Sequence, residues 1–213
     1  MAKKIITISR EYRSGGREIG KKIAELLGYQ YYDKEIIDEA AKQSGLSPEF
    51  IEKTEQNISS SWFYSLLVGS NYASTGTVQI PNSTLPHTVP LVDQVFNAQR
   101  KVIIDIAKKG PAVIVGRCAD YVLKHCDEIN AEDVLDVFVY APLDFKAKRC
   151  SEEDKISFDD AKNLCKKVDK CRANHYNTFT ESEWGLRSNY DLLINSASLG
   201  IENAAKIIAQ IAE

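Results

Sequence analysis

Short apolar runs typical of buried β-strands alternate with helical patterns along the chain, and this alternation constrains the fold more than any other feature. The runs are rich in β-branched or aromatic residues, as in strands that are covered on both faces. Strands that alternate with helices form parallel sheets with helices on both sides. The sequence therefore predicts a parallel α/β sheet, with strands at KIITIS (4–9), YQYYD (29–33), PAVIVG (111–116), VLDVFVYA (134–141) and YDLLINS (190–196).

Helical patterns fill the intervals between these strands. The first helix has one apolar stripe followed by a terminal glycine, at Ile19, Ile23, Leu26, Leu27 and Gly28. Another helix is predicted to begin at Ser47, with Ser47 as N-cap and Pro48 in the first position. The remaining helices are predicted at 34–45, 91–110, 117–125, from Pro142 to near Arg149, over most of 151–176 and at 200–213.

Composition limits the class of protein and its partners. With 213 residues, the chain is long enough for a full core, and we expect a single domain over 1–213. A net charge of -3 argues against coating of nucleic acid, and no apolar stretch approaches the ~20 residues that span a bilayer. The five cysteines form no CxxC pair and no secretory signal is evident, so we expect reduced thiols and a cytoplasmic protein.

Residues 57–90 differ in composition from the rest of the chain. They are rich in Ser, Thr, Asn, Gly and Pro and carry four dispersed aromatic residues, Trp62, Phe63, Tyr64 and Tyr72. A loop this long inside a compact domain is usually functional or mobile. We expect a movable cover or a contact in a homo-oligomer, with simple disorder as an equal alternative.

The first strand runs into the turn SGG and then into a helix, an arrangement that many proteins use to bind phosphate. The common phosphate-loop motif would assign its lysine to Lys21. That register requires Ile19 to lie in the loop, whereas the apolar stripe includes Ile19 in the helix. We therefore favour a loop that ends at Gly15 and Gly16 and lacks the lysine.

Three arginines surround this turn and are candidates to replace the missing positive charge. With a helix that begins near Arg17, the backbone N–H groups of residues 13–18 and the positive end of the helix dipole face one point. Arg10, Arg13 and Arg17 lie beside that point, and guanidinium groups bind phosphate oxygens in a bidentate way. An ordinary tight turn with solvated arginines is the alternative.

Five segments, in this order, carry a family resemblance: ISREYRSGGREIGKKIAELLG followed by YYDKEII, VIVGRCADYVL, VFVYAPLDFKAKR, KKVDKCRANHY and NYDLLINSASLGIEN. They resemble the cytidylate kinase-like family, relatives of bacterial CMP kinase among the P-loop nucleoside monophosphate kinases. The resemblance covers nearly the whole chain except about 57–90. It implies a three-layer P-loop NTPase fold with a five-stranded parallel sheet, an NMP-binding insertion (46–90) and a helical lid (150–176).

The resemblance also implies where ATP binds. Its phosphates would contact the loop after the first strand, at Arg10, Arg13, Ser14, Gly15, Gly16, Arg17 and Glu18. Two of these positions depart from the family pattern, because Gly16 stands where the family has lysine and Arg13 where it has glycine. The missing lysine leaves catalysis by this chain open.

Acceptor and lid residues follow from the same resemblance. Asp33 would position the acceptor nucleotide, or cap the next helix, or both. Arg117 follows a buried strand at the sheet edge where open α/β folds bind ligands, and would hold the acceptor phosphate together with Lys170. Asp120 is a candidate for Mg²⁺. The resemblance gives Arg149 and Arg172 to the transferring phosphoryl group, with a solvated helix face as the alternative for these lid residues. Arg17 joins them as a candidate catalytic residue because it lies beside the glycine turn that lacks the lysine.

The function expected from the resemblance is ATP- and Mg²⁺-dependent phosphoryl transfer to a nucleoside monophosphate, CMP or dCMP. Two alternatives stay open at this point. One is a nucleotide-binding sensor with little or no catalysis, because the phosphate-loop lysine is missing. The other is a kinase for a different small acceptor, because a fold does not determine the substrate.

Overall fold

One five-stranded parallel sheet organises residues 2–49, 51 and 91–213, which the computed structural model describes. The strand order is β2-β3-β1-β4-β5 and every pairing is parallel. In the central strand, Ile6 is in register with Val113 on one side and with Leu135 on the other. The five predicted strands are confirmed, as β1 (Ile5–Arg10), β2 (Gln30–Tyr32), β3 (Ala112–Val115), β4 (Val134–Tyr140) and β5 (Leu192–Asn195).

Eight α-helices lie wholly within the described part of the chain, and a further helix begins at Pro48. The eight are α1 (Gly16–Leu27), α2 (Glu35–Ser44), α3 (Leu91–Lys109), α4 (Ala119–Lys124), α5 (Leu143–Asp154), α6 (Phe158–Phe179), α7 (Ser196–Leu199) and α8 (Ile201–Ala212). Gly28 and Gly45 follow α1 and α2 in the left-handed conformation, as their positions in the sequence predict.

Two predicted helix boundaries are wrong. The helix predicted from Arg117 begins at Ala119, because Arg117 and Cys118 both have a φ of 55° and stand outside the helix. The helix predicted to end near Arg149 continues to Asp154. Left-handed φ values are uncommon for residues other than glycine, so the periodicity of the sequence gave no sign of the first of these boundaries.

Side chains that alternate along the strands build a core on each face of the sheet. Ile6 and Ile8 of β1 pack with α1 and α8 on one face. Ile5 of β1 and Ile114 of β3 pack with α2, α3 and α4 on the other. Because both faces are covered by helices, the ends of the strands are left to form a binding edge.

Helices α5 and α6 pack against each other beside this edge. Ala147 and Cys150 of α5 meet Ala161 and Cys165 of α6, and all four are fully buried. The predicted lid (150–176) comprises the end of α5 and most of α6, and its role stays a prediction. Much of the predicted insertion, including all of 57–90, lies outside the described residues.

All five cysteines are free thiols. Within the described ranges, no helix is both long and apolar enough to cross a membrane.

A buried carboxyl group interrupts the apolar face of β4. Asp136 is 8% exposed and lies opposite Thr7 of β1, whose hydroxyl donates to Asp136 Oδ1 at 2.5 Å. Burial, together with the neighbouring charges of Asp120 and Asp191, raises the pKa of Asp136 to about 7, although the hydrogen bond from Thr7 lowers it in part. The folded protein therefore holds a proton that the unfolded chain releases near pH 4.

Stability is expected to fall as the pH rises from about 4 through 7, because the raised pKa favours folding only while Asp136 is protonated. Asp136→Asn keeps an acceptor for Thr7 and removes this loss, so it should raise Tm more at pH 8 than at pH 5. Thermal melts at both values test this, with the exposed Asp127→Asn as the control. An equal effect at both pH values would contradict the prediction.

Candidate functional site

The turn between β1 and α1 holds backbone N–H groups that no side chain caps, and Ser14, Gly15 and Gly16 are themselves buried in this conformation. Gly15 precedes α1 in the left-handed conformation, with a φ of 86°, and no side chain caps the helix. The first N–H groups of an α-helix have no partner within the helix and carry its positive dipole end. Ser14 does not cover them, because its buried hydroxyl donates to the carbonyls of Glu11 and Val139 at 2.8 and 3.1 Å. The turn is thus built to hold an anion through its backbone.

Gly16 has no room for a side chain. A Cβ atom at this position would lie 2.5 Å from Cβ of Arg10, which is close to the backbone and cannot swing away. Gly116, which follows the neighbouring strand β3, leaves space for the end of the same side chain. A Cβ on Gly116 would lie 1.9 Å from Nη1 of Arg10. The packing of Arg10 therefore explains why glycine, rather than lysine, occupies position 16.

Gly16→Ala is expected to destabilise the protein by roughly 1–3 kcal/mol, the usual cost of overpacking, although alanine is the better helix former. Denaturant unfolding measures this loss. Gly28→Ala is a suitable control, because it introduces left-handed strain in open space. A Gly16→Ala variant as stable as the wild type would show that Arg10 yields easily.

Three guanidinium groups converge on one buried carboxylate at the carboxyl end of the sheet. Asp33, only 5% exposed, pairs with Nε of Arg17 at 2.6 Å and with Nη1 of Arg117 at 3.2 Å. Nη2 of Arg10 lies 3.7 Å from the same carboxylate. Asp33 does not cap α2, whose N-cap is Lys34 without a side-chain hydrogen bond. The sequence predicted each of these residues for the site, and the fold brings them together.

A fourth arginine, Arg172, lies beside these three, so the positive charges around Asp33 exceed the negative charge of its carboxylate. Nη1 of Arg172 on α6 donates to the carbonyl of Arg10 at 2.9 Å. Burial lowers the pKa of Arg10 well below its usual value; the charges of Arg172 and Arg117 lower it further, and Asp33 raises it. Burial lowers the pKa of Arg172 as well. An anionic ligand would offset the repulsion between these arginines, so the arrangement favours the binding of an anion.

These side chains line a cleft of about 560 Å³. Six cationic side chains line it, and no carboxylate from the described residues does; the cationic residues are Arg10, Arg17, Lys34, Arg117, Lys167 and Arg172. Aromatic and apolar side chains, including Tyr12 and Trp184, form the remaining wall. The volume and charge suit a small phosphorylated molecule.

Other predicted residues lie beside the cleft rather than in it. Arg149 pairs with Glu18 at 2.6 Å, and its Nη1, buried without a hydrogen-bond partner in the described structure, lies 2.9 Å from the position of a Cβ on Gly15. Arg13 pairs with Glu153 and Asp154 at the end of α5. The unpaired nitrogen of Arg149 therefore faces the glycine turn, whereas Arg13 is already compensated.

Asp120 is engaged within the protein. It is 2% exposed and accepts hydrogen bonds from Tyr176 at 2.9 Å and from Ser9 at 3.5 Å. Burial raises its pKa. No group of three or more His, Cys, Asp or Glu residues that could hold a metal ion occurs in the described ranges. In this conformation Asp120 does not fit a ligand for Mg²⁺, and its predicted role would require Tyr176 to release the carboxylate.

One face of α6 forms the far wall of the cleft, and it includes Lys167, a cation that the family resemblance does not assign to the site. The lining residues of this face recur at helical spacing: Leu164, Lys167, Val168, Cys171, Arg172, His175 and Tyr176. Lys170 is exposed and lies off this stripe. Lys167 lies three residues after Leu164 and four before Cys171, and this helical spacing could have indicated Lys167 instead of Lys170.

A buried ionic network was also missed. Nζ of Lys146 donates to Glu11 at 2.8 Å and to Asp169 at 2.7 Å. Nothing in the local sequence links these three residues, which come from the turn after β1, from α5 and from α6.

Known proteins extend these observations. The sequence profile described as the cytidylate kinase-like family matches residues 5–198. The chain belongs to this family. A cytidylate kinase of Pyrococcus horikoshii is 26% identical over 208 residues, which are 97% of this chain and 86% of that protein. One of Methanoregula boonei is 26% identical over 122 residues, 56% of this chain and 62% of that protein.

Solved structures agree with the family on the fold. A crystal structure of an uncharacterised protein from Eubacterium ventriosum superposes with a TM-score of 0.67 at 26% identity, over 98% of this cytidylate kinase-like chain and 97% of the other. A shikimate kinase from Bacteroides thetaiotaomicron gives 0.52 at 12% identity, over 97% of each chain. The fold is that of the P-loop kinases, and family and fold together support a nucleotide kinase.

Proposed function

We propose that this protein transfers a phosphoryl group from ATP to a nucleoside monophosphate, with CMP or dCMP as the acceptor. The observation that carries the proposal is the meeting of two anion sites at one edge of the sheet. One is the uncapped amino end of α1, and the other is the adjacent cleft, which is lined by six cationic side chains and by no carboxylate of the described residues. The cytidylate kinase of Pyrococcus horikoshii supports the choice of a cytidine nucleotide.

The residues divide the work between the two anions. In this proposal the ATP phosphates bind the N–H groups after Gly15, where the unpaired nitrogen of Arg149 adds charge. The acceptor phosphate binds Arg117, and Arg172 and Arg17 contact the group in transfer. The transition state spreads negative charge over the equatorial oxygens, so positioned cations supply most of the catalysis. The acceptor phosphate is itself the nucleophile, so no side chain is needed for that role.

Two alternatives remain distinct from this proposal. The first is a nucleotide sensor with weak catalysis, which the lack of space for a lysine at Gly16 favours. The second is a kinase that uses another small acceptor in the same cationic cleft.

An acceptor screen tests all three. The purified protein is incubated with ATP, Mg²⁺ and one of CMP, dCMP, UMP, AMP or GMP, and ADP release is recorded. We expect CMP or dCMP to raise ADP release at least about tenfold above ATP alone, well below the acceleration that kinases achieve. ADP release that no nucleotide changes would refute the proposal. Tight ATP binding without turnover would favour the sensor, and turnover with another acceptor only would favour the second alternative.

A further inference from the structure

The ammonium group of Lys146 is buried between two carboxylates at the junction of three elements. Its residue is 5% exposed, and its Nζ donates to Glu11 at 2.8 Å and to Asp169 at 2.7 Å. The two hydrogen-bonded carboxylates outweigh burial and raise the pKa of Lys146, which is therefore charged. A buried lysine held in this way costs free energy to desolvate, so its presence calls for a reason.

Both carboxylates continue the network into the backbone. Glu11 also accepts from the N–H of Ala141, directly after β4, at 3.1 Å. Asp169 accepts from the N–H of Tyr12 at 2.6 Å. One ammonium group thus ties the chain after β1 and the end of β4 to both α5 and α6.

The two helices tied in this way carry the arginines of the site. Lys146 precedes Arg149 by three residues on α5, and Asp169 precedes Arg172 by three residues on α6. Residues at this spacing lie on the same side of a helix. Arg149 lies over the glycine turn, and Arg172 lines the cleft and donates to the carbonyl of Arg10. Any slide or tilt of either helix at this junction would move one of these guanidinium groups.

We propose that Lys146 is a positioning residue, which holds α5 and α6 against the turn after β1 so that Arg149 and Arg172 stay aimed at the transferring phosphoryl group. Its kinetic consequence rests on the proposed function, whereas the tie between the elements does not. A displacement of about 1 Å in a catalytic group can lower a rate about 100-fold.

Removal of the ammonium group would leave two partly buried carboxylates facing each other. The charged and titratable groups around them are Arg172 of α6, which interacts with Asp169, and the Cys165 thiol, which interacts with both Asp169 and Lys146. At high pH the carboxylates repel each other. Because like charges in contact strongly raise the pKa of one of the two groups, one carboxylate takes up a proton at lower pH. The protonated carboxyl group can then donate a hydrogen bond to the other carboxylate, which removes the repulsion.

The kinetic test compares Lys146→Met with Lys148→Met, an exposed residue of the same helix. With ATP and the acceptor found in the screen, we expect Lys146→Met to lower kcat about 100-fold and to change both KM values less than about threefold. The ratio of its kcat to that of the wild type should rise at least about fivefold between pH 8.5 and pH 6, as one carboxylate protonates. Lys146→Arg should recover most of the rate, and Lys148→Met should equal the wild type.

A second measurement needs no turnover. Hydrogen exchange of the ligand-free proteins should show α5 and α6 exchanging at least about tenfold faster in Lys146→Met, with α8 and β1 unchanged. Glu11→Gln, which keeps the shape and one ion pair, serves as a milder variant in case Lys146→Met does not fold. It should accelerate exchange in the same helices to a smaller extent.

The two measurements separate the inference from the proposed function. A wild-type protein that phosphorylates no nucleotide would refute the proposed function. Hydrogen exchange alone would then test whether Lys146 holds α5 and α6 against the turn after β1. A folded Lys146→Met with wild-type kcat would overturn the inference. Exchange unchanged in both variants would overturn it as well, whatever the activity.

Discussion

Arg172→Ala is expected to lower kcat about 1000-fold, the low end of what an arginine at a transferring phosphoryl group contributes. The side chain lines the cleft and donates to the carbonyl of Arg10, so its guanidinium is held at a fixed point. Burial lowers its pKa, and Arg17 and Arg117 lower it further. The charge of Asp169 raises the pKa of Arg172 in part, but Asp169 is hydrogen-bonded to Lys146, so a cation in these surroundings favours a role toward a ligand.

Stability distinguishes this role from a structural one. Loss of Arg172 removes a like charge that faces Arg10 and Arg117, so the ligand-free variant should melt no lower than the wild type. Steady-state kinetics and thermal melts are measured on the same preparations. Lys166→Ala, an exposed cation of the same helix, serves as the control and should leave kcat unchanged. A variant with full kcat, or one whose losses all follow from a lower Tm, would contradict the prediction.

Arg117→Ala is expected to raise the KM for the acceptor about 100-fold while the affinity for ATP changes less than about threefold, because charged hydrogen bonds contribute about 1.5–3 kcal/mol each. Arg117 lies at the carboxyl end of β3, pairs with Asp33 at 3.2 Å and lines the cleft. The uncapped amino end of α1, where the ATP phosphates are proposed to bind, belongs to a different part of the edge, so the affinity for ATP should change little.

The conservative variant sharpens this test. Arg117→Lys keeps the charge but loses the planar fork that binds phosphate in a bidentate way, so its KM should be intermediate. Asp33 retains Arg17 and Arg10 in both variants, and the fold should therefore persist. Equal losses of ATP and acceptor binding would show that the two phosphate sites are not separate, and an unchanged KM with a lower Tm would make Arg117 structural.

Local patterns in the sequence were sufficient for the sheet and for part of the site. Short runs rich in β-branched or aromatic residues located all five strands, and the carboxyl ends of parallel strands meet at one edge of the sheet. From this rule one expects Asp33, which follows β2, to lie close to Arg117, which follows β3, as the structure shows. The stripe that includes Ile19 predicted a start of α1 near Arg17, one residue after the observed start at Gly16.

Features that depend on tertiary contact could not be anticipated. The contact between Gly16 and Arg10 joins two backbone segments whose approach is decided by the packed sheet. The ion pairs of Lys146 span 135 residues to Glu11 and 23 to Asp169, so no helical or strand period relates them. The left-handed conformation of Cys118 likewise depends on its surroundings, because its residue type disfavours it.

The central claim is that backbone N–H groups and guanidinium groups hold two phosphorylated ligands where a lysine is absent. A crystal structure with a non-hydrolysable ATP analogue and CMP tests it most directly. We expect the β-phosphate on the N–H groups that follow Gly15, and the CMP phosphate on Arg117 in the cleft. A triphosphate bound elsewhere, or a glycine turn that stays covered by Arg149 and Glu18 with both ligands present, would contradict the claim.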